Sequence, residues 1–226
     1  MTFNSTTPHE RNGASERTTV RRHPERGVYD REVIHQIVDE ALICHVGIVD
    51  EQRQPFVMPV IHTRVDDHLY IHGSRGSRLL RRIAEGAPVC VTMTIIDGLV
   101  LARSAFHHSM NYRSVVVLGR GSEVVERQLK AQVFDALVEH VVRGRLNDVR
   151  RPSESEIDAT MLVSIPLAET SAKIRSGPPM DDDKDMSLPH WAGLIPLSLH
   201  AGEPIPAQDL DRNVVTPAYA INYARR

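Results

Sequence analysis

Between Leu42 and Val125 five apolar stretches follow one another, and the sequence leaves room for one short helix among them. The first three, "LICHVGIV", "PFVMPVIHTRV" and "LYIHG", are separated by five residues or fewer. Parallel strands need crossovers of a dozen residues or more, so connections this short imply antiparallel neighbours. "PVCVTMTII" and "NYRSVVVLGRGSEV" extend the series, the latter with a bend expected at Gly119 or Gly121. A sixth strand, "MLVSIPLAE", follows the longest helical stretch, "ERQLKAQVFDALVEHVV". The predicted class is therefore mainly β with peripheral helices (α+β), built on a six-stranded antiparallel barrel rather than a doubly wound parallel sheet.

Local signals place the remaining elements. Asp30 reads as an N-cap, behind which Val33, Ile34, Ile37, Val38 and Ala41 share one helical face. "SRLLRRIAEG" reads as a short helix stopped by Gly86, and Ser153 with Glu156 as a capping box. In "PFVMPVIHTRV", Val57, Pro59, Ile61, Thr63 and Val65 lie on one face and Met58, Val60, His62 and Arg64 on the other. Pro59 lacks a ladder donor and needs an edge or an interruption at its position.

At 226 residues, with 41% hydrophobic and 25% charged residues, the chain can bury a sizeable core. Residues 1–25 are polar and read as a flexible arm, 26–180 as the barrel domain, and 181–226 as a Pro-rich extension packing on the barrel or a dimer partner. A net charge of −2 provides no basic field for nucleic acid, and no apolar run is long enough to span a membrane. The first residues lack the apolar core of a signal peptide, so a cytoplasmic location is expected. Cys44 and Cys90 read as free thiols, with a disulfide as the other reading.

The stretch that carries chemistry is "IHGSRGSRLL". Gly73 and Gly76 let the backbone approach a ligand, Ser74 and Ser77 add hydroxyls, and Arg75 and Arg78 add forked cations at the start of a helix. This set suits a phosphate; the other reading is an ordinary capped helix with solvated arginines. The P-loop spacing is absent. Arg113, opening an apolar strand, needs a phosphate or a carboxylate as partner. His62 and His72 lie in strands, His72 beside the glycine turn. His107 and His108 suggest a metal only weakly, because no carboxylate or cysteine stands at a ligand spacing from them in the sequence.

Three segments in order, "PFVMPVIHTRVDDHLYIHGSRGSRLLRRI", "HHSMNYRSVVVLGRG" and "SAKIRSGPPMDD", resemble the pyridoxamine 5′-phosphate oxidase-like flavin-binding proteins, especially their nitroimidazole-resistance-like branch. The resemblance runs from about Arg22 to Ile195. It implies a split β-barrel forming a homodimer, with FMN at the subunit interface and FAD as the minor alternative. It also implies that Val60, Ile61 and His62 border the flavin ring, largely through backbone groups. His72 and Gly73 would lie beside the ring or ribityl chain. Ser77 and Arg78 would hold the phosphate, and Arg113 and Ser114 would reach the flavin, from the partner if not from the same subunit. Lys173 and Arg175 match a basic motif of undefined role, and Trp191 is either a flavin cover or a core or dimer anchor. True pyridoxamine phosphate oxidases end in a basic, proline-terminated segment, whereas this chain ends in "NYARR", which disfavours pyridoxal phosphate synthesis. The expected activity is flavin-dependent oxidoreduction of a small molecule, with no acid–base residue assigned. A flavin carrier or sensor, or a haem-binding split barrel, are the alternatives.

Overall fold

The computed structural model describes residues 15–224. Its frame is one antiparallel sheet. In chain order the elements are β1 (Gly27–Val28), α1 (Arg31–Glu40), β2 (Ile43–Val49), β3 (Pro55–Val65), β4 (His68–Ser74), α2 (Arg78–Ala84), β5 (Pro88–Leu101) and β6 (Ser109–Arg120). They continue with β7 (Ser122–Glu123), α3 (Arg127–Val141), α4 (Glu154–Ala159), β8 (Thr160–Pro166), β9 (Glu169–Arg175), β10 (Gly193–Pro196) and α5 (Ala218–Ile221). The strand order is β1-β9-β6-β5-β2-β3-β4-β8-β7, with β10 added to β5.

Hydrogen bonding does not close the sheet. Instead β6 runs on through Gly121 into β7, which pairs with β8 at the far end of the order. A Cβ at Gly121 would meet Ile83 and the Ser164 carbonyl below 3.0 Å, so the expected bend falls where a side chain has no room. This is the split-barrel α+β architecture, with ten strands where the sequence suggested six. Three of the four extra strands, β1, β7 and β10, are two to four residues long. The fourth, β9, is polar and becomes a strand by pairing with β6 over seven positions.

The helices arise where local signals place them. Asp30 caps α1 by accepting from Val33 N, and Ser153 with Glu156 forms the capping box of α4. Gly86 takes a φ of +79° after α2. Helix α1 covers the barrel with Ile34, Ile37 and Val38, which join Val46, Leu69, Ile71, Ile83, Val91, Met93, Val115 and Val163 in one core. Pro59 satisfies its expected constraint: at that point β3 pairs with β2, whereas its pairing with β4 begins at His62.

Of the expected N-terminal arm, residues 1–14 lie outside the described residues. From Ser15 the chain turns against the barrel; Thr18 is buried, and Val20 N donates to the Tyr29 hydroxyl at 2.8 Å. The C-terminal extension leaves through β10 and carries exposed apolar residues such as Leu199, Ile205 and Val215. It returns at α5 and Tyr223, whose hydroxyl donates to the Val141 carbonyl at the end of α3. No helix among the described residues is long and apolar enough to cross a membrane.

Candidate functional site

The turn between β4 and α2 is built from its own hydroxyls. Ser74 Oγ accepts from Gly76 N at 3.1 Å, and Ser77 Oγ caps α2 by accepting from Leu80 N at 3.4 Å. Each hydroxyl keeps its proton to donate outward. Arg75 is taken by Glu123 at 3.0 Å. Arg78 and Arg81 have no carboxylate partner among the described residues. The Arg78 guanidinium instead lies over the Phe56 ring, 4.3 Å from its centroid. Arg78, Arg81 and Arg82 line a concavity of about 350 Å³ with the Asp50–Gln52 turn and Glu85. Of the three acids there, Asp50 accepts from Gln52 N and Gln54 N and Glu85 pairs with Arg82, while Glu51 stands on the turn beside them. The free cationic groups fit an anionic ligand of more than one phosphate oxygen.

His72 lies two residues before the end of β4, opposite Leu162 of β8, with its ring edge-on to Phe134 at 6.0 Å. Its Nδ1 is buried without a hydrogen-bond partner, and burial lowers its pKa, keeping the imidazole neutral. Gly73 follows it, where a Cβ would press on Leu80 at 3.1 Å. His62 is fully buried. Its Nε2 donates to the Val38 carbonyl at 3.0 Å, beside His140, whose Nε2 donates to the Ala41 carbonyl at 3.0 Å. The two imidazoles satisfy carbonyls that the end of α1 leaves open. The His62 ring therefore serves the fold, and toward a ligand this residue offers its backbone. Val60 is half-buried on the core, whereas Ile61 is exposed opposite Ile43 of β2.

Arg113 has carboxylate partners. Its Nη2 donates to Glu40 Oε1 at 2.8 Å and to Asp97 Oδ1 at 2.7 Å, and Nη1 also reaches Glu40. These bonds, Glu40 first and Asp97 second, push its pKa up. Asp97 stands at a register shift of the β5–β6 pair between Ile96 and Gly98. Arg113 lines a second concavity of about 410 Å³ with Glu40, Ile43, Asp97 and the Leu197–Leu199 segment. This hollow shares no residue with the one at Arg78. Ser114 Oγ donates to the Lys173 carbonyl at 3.2 Å. Arg175 is buried and reaches Asn111 Oδ1, holding the turn after β9. Trp191 is 66% exposed, with its indole against Gly193. Within one protomer the structure thus joins Ser77 to Arg78 and His72 to Gly73, and leaves Arg113 and Ser114 apart from them. Phe56 and Arg81 were not singled out by sequence, because a half-buried aromatic and one arginine of a helix carry no local signal.

Around β2, β3, β5 and β6 the outward face of the sheet is apolar. Ile43, Val49, Val57, Ile61, Ile96 and Val116 are exposed, Val57 to 60%. Ile43 faces Ile61 and Gly47 faces Val57 across the β2–β3 ladder, so the patch is continuous there.

The family model described as pyridoxamine 5′-phosphate oxidase matches residues 30–174. The structure is similar to that of the flavocytochrome Anf3 from Azotobacter vinelandii, at 35% identity and a TM-score of 0.86, covering 92% of this chain and 97% of that one. It is also similar to the FAD and haem binding protein from Mycobacterium smegmatis, at 33% identity and a TM-score of 0.81, covering 86% of this chain and 95% of that one. A protein from Bacteroides thetaiotaomicron named for 5-nitroimidazole antibiotic resistance shares the fold, at 22% identity and a TM-score of 0.55 over 66% of this chain and 86% of that one. No curated protein matches the sequence. The split barrel, the matched family model and two relatives above 30% identity together show that this chain belongs to the pyridoxamine 5′-phosphate oxidase-like family of flavin-binding split-barrel proteins.

Proposed function

We propose that this chain is a redox protein that holds FAD between two copies of itself, with the phosphate end of the nucleotide at Ser77 and Arg78. The observation that carries the reading is Arg78, a fixed guanidinium without a carboxylate partner among the described residues, beside a helix-capping hydroxyl. FAD rather than the FMN expected from the sequence is supported by the second free cation, Arg81, which suits a diphosphate. The naming of the M. smegmatis relative for FAD points the same way. The exposed apolar sheet face supports the homodimer, in which Arg113 and Ser114 of one copy approach the Arg78 hollow of the other. When bound, the flavin supplies hydride and single-electron transfer. The protein's part is to grip the phosphates, present the backbone of Val60, Ile61 and His62 to the ring, and keep His72 uncharged beside it.

A second reading adds a haem, making the chain a flavocytochrome. It is supported by the names of the two relatives above 30% identity. Among the described residues His72 suits such a group by its protonation state, since burial lowers its pKa and keeps the imidazole neutral.

The test is the absorption spectrum of the freshly purified protein, followed by chromatography of the flavin released by denaturation. FAD supports the proposal, FMN restores the first expectation for the nucleotide, and a colourless protein that takes up neither overturns the reading. A Soret band establishes the haem. Anaerobic reduction followed by mixing with acceptors separates an oxidoreductase, which turns over, from a carrier or sensor, which does not.

A further inference from the structure

Away from both hollows, His107, Asp182 and Asp185 bring one imidazole nitrogen and two carboxylate oxygens within 4.8 Å of one another. The sequence marks His107 only weakly for a metal, because its aspartate partners are more than seventy residues away. The fold joins the one-turn helix Ala105–His107, between β5 and β6, to a second one-turn helix, Asp183–Asp185, in the C-terminal extension.

We infer that His107, Asp182 and Asp185 bind a divalent transition-metal ion, with zinc the best fit and water completing its coordination. The donor set is mixed. One imidazole and two carboxylates suit first-row divalent ions, whereas magnesium and calcium prefer oxygen alone. His107 Nε2 lies 3.4 Å from Asp182 Oδ1. That equals the edge of a tetrahedron with metal–ligand bonds of about 2.1 Å. Charge argues the same way: a single ion pair needs one carboxylate on the imidazole, and a second repels the first unless a dication lies between them. Lys184 Nζ reaches the other oxygen of Asp182, Oδ2, at 3.5 Å.

The two segments are also held in register independently of any ion. Asp181, with its side chain only 1% exposed, accepts from Arg103 N at 2.8 Å and Ser104 N at 3.1 Å and pairs with the Arg103 guanidinium. His107 N donates to Ser104 O at 3.1 Å, and Asp185 N donates to Asp182 O at 2.9 Å. The adjacent His108 is a built-in control, because its Nδ1 is already bonded to the Ser104 carbonyl at 3.0 Å. The ion would staple the start of the C-terminal extension to the β5–β6 connection.

The experiment is calorimetric titration of chelator-treated full-length protein with zinc chloride. It is paired with limited proteolysis around residues 176–192, and run on the wild type and on His107→Ala, Asp182→Asn, Asp185→Asn and His108→Ala. The expected result is zinc binding that weakens at least about ten-fold in the first three variants and stays unchanged in His108→Ala. Zinc-dependent protection from cleavage should be lost with it. Circular dichroism checks that the variants fold; Asp182 is exposed, so its variant remains informative if another fails. Absence of zinc binding in the wild type, or equal binding in Asp182→Asn, overturns the inference.

Discussion

The Arg78 guanidinium lies over the Phe56 ring, 4.3 Å from its centroid, so a residue of β3 holds a cation at the start of α2. The platform restricts the side chain's freedom while leaving the guanidinium without a carboxylate partner among the described residues. Replacing Phe56 with leucine should therefore weaken flavin nucleotide binding by about two- to five-fold, the size of an exposed cation–π contact. Fluorescence titration of the released and re-added flavin checks this.

His72 should tune the bound group rather than hold the fold together. His72→Gln is expected to change the visible spectrum or the reduction potential of the purified protein while its far-ultraviolet circular dichroism stays as in the wild type. The pH dependence has a definite sign. Burial lowers the folded pKa of His72, so below the unfolded value of about 6.5 the unfolded chain binds a proton that the folded chain resists. The wild type then loses stability as pH falls from about 6.5. Denaturant midpoints of cofactor-free His72→Gln should fall less steeply over that range.

Arg113 neutralises two carboxylates that the fold has brought together. Arg113→Ala leaves Glu40 and Asp97 facing each other, and should cost roughly 1–3 kcal/mol, read as a lower urea midpoint at unchanged slope. Arg113→Lys should recover only part of this, because an ammonium cannot form both forked contacts.

The outward sheet face should be a subunit interface. Val57→Glu, combined with Val116→Glu, is expected to turn a dimer into a monomer in light scattering and to weaken flavin binding at the same time. The two thiols differ in what they report: one is a core residue and the other lies on this surface. Cys44 is buried, and burial pushes its pKa up to about 12, so it should stay inert to alkylation in the folded protein. Cys90 is half-buried and pairs with Gly47 and Leu118 on the outward side. Its alkylation should be slow in the wild type and faster in the monomeric variant.

Strands with strong alternation were legible in the sequence, and so were the caps at Asp30 and Ser153, because they depend on residues close in the chain. The β9 strand was not. In "ETSAKIR" the buried positions are Thr170, Ser171, Ala172 and Arg175, so its strand character comes from its neighbour β6 and not from its own hydrophobicity. At the site, the turn chemistry of Ser77 and Arg78 was visible locally. Whether Arg113 would meet a phosphate or a carboxylate was not, since Glu40 lies 73 residues away and Asp97 reaches it through a register shift. The convergence of His107 with Asp182 and Asp185 was hidden by the same kind of distance.

The account stands most directly on the phosphate grip of Arg78, and one comparison tests it: the affinities of FAD, FMN and riboflavin for cofactor-free wild type and Arg78→Ala. A charge-assisted contact to phosphate is worth about 1.5–3 kcal/mol, or about ten- to a hundred-fold in affinity. Arg78→Ala should weaken FAD and FMN by that factor and leave riboflavin, which has the ring without a phosphate, nearly unchanged. Equal weakening of all three, or of none, would contradict the placement of the nucleotide at this turn.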